Sequence, residues 1–398
     1  MPFKKTQDWD DCGNSKDITN IMKPLSTDNS LRRIYLYLTT DCNLRCKYCF
    51  EKKDSQINNF SIPKFQEVLI REFGVPADLY IITLYGGEPF LEFEKFKNLC
   101  SWVWETYTDK NIIFDITTNG TLLNRDIKQW LLLNQKRIKI SLSIDGSRQV
   151  HDSNRGSGIF SRIELDFFLK LSGIKAKMTV MPEYVDSMFE NFIYLETLGF
   201  DTVPSIAKEA EWGEKHIELY SLQLINFVDY IVDHPNKTPP PFLRYEIGKF
   251  ALERRSNRSL RNCGVCYHSI AYDTFGNKYP CNGFYSDFSR EYDKNKIEEI
   301  SSILRSVPDS ELLVECAECP VKEACSTCYG LNYIYRNDVA SIDTRLCPFI
   351  KCEIMATVQM YARVIPNIEL YPWLRTRKPN ELLDIISGIQ YLKDKNLY

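Results

Sequence analysis

Fourteen cysteines, gathered in two fields with almost nothing between them, constrain this chain more than any other feature. Three stand at Cys42, Cys46 and Cys49 and eight fall between Cys263 and Cys347, while the long stretch separating them holds only Cys100. A disulfide scaffold spreads its cysteines more evenly and needs an oxidising compartment. The N-terminal run MPFKKTQDWDDCGNSKD lacks the apolar segment of a secretory signal. Nowhere do eighteen apolar residues run together, so no membrane span is expected. The expected setting is cytoplasmic, where clustered thiols read as metal ligands. The net charge of −3 gives no electrostatic ground for a nucleic-acid partner. At 398 residues the chain is long enough for two or three domains.

Residues 31–206 alternate between strand-like and helix-like patterns. Strands are expected at Arg33–Leu38, Leu79–Tyr85, Ile112–Ile116, Ile138–Ile144, Ala176–Met181 and Phe200–Ile206. Helices are expected at Pro63–Phe73, Glu92–Tyr107, Asn124–Asn134, Ser161–Leu171 and Val185–Leu198. Strands separated by single helices imply a parallel sheet with right-handed crossovers. The strands read as apolar runs covered on both faces. Six units fall short of a closed eight-unit barrel, so the fold class expected is α/β, a partial (β/α)6 barrel. Its polar loops, DCNLRC, YGGEP, TTNG and SIDG, all follow strand C-termini, the edge where parallel α/β folds bind ligands.

The rest divides by composition. Residues 1–30 form an N-terminal extension, 31–206 the barrel, 207–261 a helical bridging region broken by prolines at 234–242, 262–352 the second cysteine field, and 353–398 a helical C-terminal segment. A small β-hairpin is expected near the turn DTFGN, and Cys352 is expected to start the C-terminal helix.

Cys42-x3-Cys46-x2-Cys49 lets three thiolates face one corner of a cubane cluster and leaves the fourth iron free for an exchangeable ligand. The alternative is a zinc knuckle with a distant fourth ligand, which four histidines in the whole chain make less natural. The spacing, with Tyr48 at the aromatic position, resembles the CxxxCxΦC signature of the radical S-adenosylmethionine (SAM) superfamily. Gly86-Gly87-Glu88-Pro89 resembles that family's GGEP motif, and Ser143-Ile144-Asp145-Gly146 and His151-Asp152 with Arg155 resemble its SxDG and HDxxR segments. The resemblance implies that the cysteines hold a SAM-cleaving 4Fe–4S cluster and that Tyr48 lies by the adenine. It further implies that Gly86, Gly87 and Glu88 receive the methionine amino group, Ser143 the ribose and Arg155 the methionine carboxylate. Thr118 and Asn119 of TTNG are either SAM contacts or polar turn caps, and Val180 is a core valine or an adenine contact.

The second field reads Cys263-x2-Cys266-x14-Cys281, then Cys316-x2-Cys319-x5-Cys325-x2-Cys328, then Cys347. It resembles the SPASM domain, departing from it by one residue in the gap before Cys328. The resemblance implies two auxiliary 4Fe–4S clusters, on Cys263, Cys266, Cys281 and Cys328 and on Cys316, Cys319, Cys325 and Cys347. Two structural zinc sites are the alternative. Cys12, Cys100 and Cys352 receive no role.

SPASM enzymes act mostly on ribosomal peptides or proteins, so a Cys-containing precursor peptide is the expected partner. A flavodoxin or ferredoxin is the expected electron donor. Similar sulfatase-maturating enzymes, which make formylglycine, usually carry an aspartate base directly after the cysteine aligned with Cys281; here that residue is Asn282. The resemblance therefore favours a ribosomal-peptide maturase that forms thioether or carbon–carbon crosslinks. About 30 residues before the first strand are too few for a winged-helix leader-binding domain of roughly 80, which suggests a separate leader-binding protein or a surface at 238–250 or the C-terminal segment. An iron–sulfur electron carrier without SAM chemistry would explain the cysteines but not the motifs at successive strand ends.

Overall fold

Burial alternates along the central strands, and that alternation decides how the sheet is used. In the computed structural model, which describes residues 31–50, 57–252, 263–285, 292–307, 312–325, 327–395 and 397, strand β3 (Ile112–Thr118) follows β1 (Leu31–Tyr37) and β2 (Leu79–Tyr85). β4 (Ile138–Ser143), β5 (Lys175–Val180) and β6 (Asp201–Ile206) complete the parallel set. Ile34, Leu36, Ile82, Leu84, Phe114, Ile116 and Leu142 are fully buried beneath the helices. Arg33, Tyr35, Asp115, Thr117 and Ser143, one residue out of phase, are only half-buried. Successive side chains of a strand point to opposite faces, so one face is core and the other is open and polar. The expectation of strands covered on both faces is corrected: a partial barrel keeps its concave face for a ligand.

The helices pack on the apolar face. α1 (Ile62–Phe73) starts with Pro63 in its first turn, where its missing N–H costs nothing. It buries Phe65, Val68, Leu69 and Phe73, each worth roughly 1.5–3 kcal/mol of transfer free energy. α2 (Phe93–Thr106) buries Phe96, Leu99, Cys100 and Val103. α3 (Arg125–Asn134) is capped by Asn124, whose side chain accepts from the Ile127 amide at 2.9 Å. α4 (Arg148–Arg155), which carries His151, Asp152 and Arg155, was not expected as a helix.

The helix expected at Ser161–Leu171 is a 3-10 turn and the single turn α5 (Leu165–Phe168). The backbone leaves helical geometry at Ile163 (φ −89°, ψ 123°) and Glu164 (φ −83°, ψ 77°), which separates the two turns. Just before them the Asp152 carboxylate accepts from the Gly158 and Phe160 amides at 3.1 and 2.7 Å. α6 (Met188–Leu198) and α7 (Glu214–Asp233) follow.

The second cysteine field does not stand apart from the sheet. β7 (Ser269–Tyr272) pairs in parallel with the free edge of β1, and β8 (Lys278–Tyr279) pairs antiparallel with β7. The expected hairpin is therefore present, and it extends an eight-stranded sheet in the order β6-β5-β4-β3-β2-β1-β7-β8. Glu72 of α1, 2% exposed, ties the two parts together: it accepts from Arg32 on β1 and from the Tyr272 hydroxyl on β7.

Beyond the hairpin lie α8 (Lys294–Ser306), α9 (Tyr329–Arg336), α10 (Cys347–Val364), α11 (Pro372–Arg375) and α12 (Pro379–Asp394). α10 begins at Cys347, five residues before the expected Cys352, because Pro348 fits its first turn. Cys12 and the rest of the N-terminal extension 1–30 lie outside the described residues, as does part of the bridging region. Among the described residues no helix is long and apolar enough to cross a membrane.

Candidate functional site

The motif loops converge at the C-terminal edge of β1–β4. The loop after β1 carries Cys42, Cys46 and Cys49, with Cys42 and Cys46 in one small apolar cluster beside Leu44 and Ile159. The Leu44 amide donates to the Cys42 sulfur at 3.4 Å, and Asn119 Nδ2 lies 4.0 Å from the same sulfur. Burial raises the Cys46 thiol pKa, the Arg155 charge opposes this, and Cys49 and Cys42 add to the rise. The three sulfurs thus share one electrostatic neighbourhood.

The GGEP loop packs directly on the cysteine loop. Gly87 N–H donates to the Thr39 carbonyl at 3.0 Å and Glu88 N–H to the Asp41 carbonyl at 2.9 Å. A Cβ on Gly87 would sit 1.9 Å from the Asp41 oxygen, and one on Gly86, whose φ is +140°, 2.4 Å from the Thr39 oxygen. Only glycine permits this approach. In this structure the glycines shape the cysteine loop itself.

Glu88 is 1% exposed and joins strand ends. Its Oε1 accepts from the Phe90 amide at 3.1 Å and from Thr118 Oγ1 at 2.8 Å, and its Oε2 accepts from the Asn119 amide at 2.8 Å. A carboxylate offers roughly four acceptor positions, so one remains on Oε2 for an ammonium. Burial raises the Glu88 pKa against the pull of these donors. Thr118 and Asn119 also hold the TTNG turn: Thr118 Oγ1 accepts from the Gly120 amide at 3.1 Å and Asn119 Oδ1 from the Thr121 amide at 3.0 Å. Their turn-capping role is real, and Asn119 Nδ2 further bonds Asn43 at 2.8 Å.

Asp145 is the hub that sequence reasoning did not single out. Its carboxylate, fully buried, receives Arg155 Nε and Nη2 at 2.9 Å each, the Tyr48 hydroxyl at 2.8 Å, Asn154 Nδ2 at 3.3 Å and the Thr179 amide at 3.0 Å. Burial alone would lower the Arg155 pKa, but the Asp145 charge, the Tyr48 charge and the hydrogen bonds to Asp145 together outweigh it and the net shift is upward. Arg155 also lies over the Tyr48 ring, 5.3 Å from its centroid. Of its five N–H donors two are used on Asp145, and the rest remain for a second anion. The signal in the sequence was a carboxylate and a guanidinium ten residues apart, in two motifs read separately. Ser143 ends β4 half-buried, in register with Lys177. Val180 is 3% exposed and belongs to the main core.

His151 is fully buried, and burial followed by the Arg155 charge lowers its pKa to about 4. The neutral ring accepts from the Asp145 amide at Nδ1, 3.3 Å away, which leaves the proton on Nε2 without a partner among the described residues.

The second field sorts into two sets of four. Burial pushes the Cys281 thiol well up, and its charged neighbours are Cys328, Cys263 and Cys266. Burial pushes Cys325 up to about 12, and its neighbours are Cys316, Cys347 and Cys319. Cys328, whose shortened spacing departs from the SPASM pattern, falls in the first set. A Cβ on Gly283 would lie 3.6 Å from the Cys281 sulfur and 3.7 Å from that of Cys328. Gly330 makes the approach possible, since a Cβ there would lie 2.5 Å from the Gly283 backbone. Cys266 adopts a left-handed φ of 65°, a strained state for a non-glycine residue. Cys263, Cys316, Cys319, Cys325, Cys328 and Cys347 all line one cavity of about 370 Å³. Among the described residues no three His, Cys, Asp or Glu side chains are close enough to hold a single metal ion. Three groupings of free thiols, most of them half-buried and Cys263 exposed, fit iron–sulfur clusters, whose ligands are thiolates. Asn282, after Cys281, lends its carbonyl to the Tyr37 hydroxyl at 3.2 Å. Cys100 is a fully buried core thiol.

Residues 31–158 match a family described as a 4Fe-4S single cluster domain. A cysteine-type anaerobic sulfatase-maturating enzyme of Clostridium novyi is 23% identical over 73% of this chain and 85% of its own length. The subtilosin biosynthesis protein AlbA of Bacillus subtilis is 24% identical over 63% of this chain and 55% of its own. Among solved structures, anSMEcpe with bound AdoMet covers 89% of this chain and 98% of its own at TM-score 0.63 and 17% identity. Streptococcus suis SuiB bound to its precursor peptide SuiA covers 85% and 82% at TM-score 0.54 and 15% identity.

Proposed function

The chain belongs to the radical SAM enzymes of the SPASM type, and from that premise we propose that it is a peptide maturase that forms a thioether crosslink in a Cys-containing ribosomal peptide. Cys42, Cys46 and Cys49 would hold the SAM-cleaving cluster, with Cys263, Cys266, Cys281 and Cys328 on one auxiliary cluster and Cys316, Cys319, Cys325 and Cys347 on the other. When bound, the reduced first cluster supplies the cleavage of SAM to a 5′-deoxyadenosyl radical, which can take hydrogen from an unactivated carbon.

The remaining work falls to this chain's residues. Glu88 keeps one acceptor position for the methionine ammonium, and Arg155 keeps donors for its carboxylate. Ser143 stands at the strand end for the ribose, Tyr48 presents its ring with the hydroxyl pinned to Asp145, and Thr118 and Asn119 fix Glu88. Residues 31–206, 207–261, 262–352 and 353–398 are the proposed units, with flavodoxin or ferredoxin as electron donor.

The observation that carries the crosslinking chemistry is Asn282. Its side-chain amide cannot accept a proton near neutral pH, and Tyr37 engages only its main-chain carbonyl. The sulfatase-maturating reading draws support from a relative matched over 85% of its length, but it needs a base at this place. The test is mass spectrometry of a short cysteine peptide encoded beside this protein's gene, after incubation with the reconstituted enzyme, SAM and a reductant. Loss of two hydrogens with sulfur retained supports the proposal. Loss of the sulfur, as formylglycine formation requires, refutes it.

A further inference from the structure

The open face of the sheet carries more positive than negative charge. Arg33 on β1, Lys139 on β4 and Lys175 and Lys177 on β5 share it with only two carboxylates, Asp115 on β3 and Asp201 on β6. Arg33 Nη1 lies 3.8 Å from Asp115, and Lys175 Nζ lies 3.7 Å from Asp201. Lys177 pairs with no carboxylate among the described residues: its ammonium donates to the neutral Thr117 hydroxyl at 2.7 Å. Solvent reaches Lys177, yet it is surrounded by protein closely enough that burial lowers its pKa. Lys177 therefore stands on the concave face of the sheet with its ammonium open to solvent. An ammonium has three donors, of which Thr117 takes one, and the Asp115 charge acts on it without forming an ion pair.

Its place in the fold says what it faces. Lys177 is in register with Ser143 of the SIDG motif, and two residues on, the Thr179 amide holds Asp145. On the same face Tyr35 of β1 feels the charges of Arg33, Cys281, Asp115 and Cys263. Lys177 thus stands on the face that runs from the proposed SAM edge toward the first auxiliary cysteine set, where a substrate must lie.

We infer that Lys177 recognises a carboxylate on the peptide substrate, so the modified residue is accompanied by an acidic side chain or lies near a free C-terminus. The inference rests on the peptide-maturase reading and adds to it a charge requirement on the substrate.

The probe is a set of short labelled peptides with a single cysteine, identical except for Glu or Gln beside it and a free or amidated C-terminus. Binding to the SAM-loaded reconstituted protein is read by fluorescence anisotropy at low salt. A carboxylate peptide should bind on the order of tenfold more tightly than its neutral twin, the size of one charge-assisted hydrogen bond. The Glu and C-terminal arms identify which carboxylate is read. The preference should vanish in Lys177→Met and persist in Lys177→Arg. Equal binding of charged and neutral peptides overturns the inference. So does a Lys177→Met variant that loses SAM affinity in parallel, because Lys177 would then serve the SAM carboxylate. Because binding needs no turnover, failure of the enzyme to cleave SAM would count against the enzymatic premise and leave this comparison separately readable.

Discussion

Replacing Asp145 by asparagine keeps the side-chain shape and removes the charge on which five donors converge. Arg155 is 7% exposed, with both its bonds to Asp145 at 2.9 Å. Asp145→Asn would leave that guanidinium buried without a counter-charge, and its new amide hydrogens would face donors. Breaking a buried pair from one side costs roughly 3–5 kcal/mol. Arg155→Met should cost a similar amount, since it strands the carboxylate instead. The double variant should cost little more than either single one, giving a coupling energy of about 2 kcal/mol or more. Anaerobic urea unfolding of the four proteins, followed by tryptophan fluorescence at constant slope, measures it. SAM affinity should fall in Asp145→Asn, because Tyr48 between Cys46 and Cys49 loses its anchor. Additive single costs, or a single cost below about 1 kcal/mol, would refute the hub argument.

Three further outcomes follow from the same geometry. Gly87→Ala, by forcing a methyl group against the Asp41 carbonyl, should abolish SAM cleavage while the auxiliary iron is retained, as read by product assay and iron analysis. Glu72→Gln should destabilise the protein by roughly 2–4 kcal/mol in urea titration, because it leaves Arg32 unpaired between β1 and β7. His151, with a folded pKa of about 4 against 6.5 unfolded, contributes full stability above its unfolded pKa and loses it as pH falls through the folded one. Unfolding free energy should therefore drop by about 2 kcal/mol from pH 7 to pH 5, and His151→Gln should flatten that limb.

The six parallel strands were legible because their apolar runs are local and each ends in a polar loop. The cysteine sets rest on family resemblance, which assigns Cys328 to the first set despite the shortened spacing before it, and in the folded chain the Cys328 charge acts on Cys281. Three features were not legible, for physical reasons. The pairing of β7 with β1 joins residues more than two hundred positions apart, and a four-residue strand announces no partner. The apolar residues Phe160, Ile163, Phe167 and Leu171 have helical spacing, but the backbone turns extended at Ile163 and non-helical at Glu164, a break that apolar spacing does not announce. The polar inner face was visible in IIFDITT only as the alternation Phe114, Asp115, Ile116, Thr117, and apolar residues in the neighbouring strands masked it.

The most direct test of the account is anaerobic reconstitution with iron and sulfide, followed by SAM and a strong one-electron reductant. The account predicts roughly twelve irons per chain, as three 4Fe–4S clusters require, and release of 5′-deoxyadenosine that disappears in Cys42→Ala, Cys46→Ala and Cys49→Ala. A fully iron-loaded protein that yields no 5′-deoxyadenosine, or cleavage that survives all three substitutions, would contradict it.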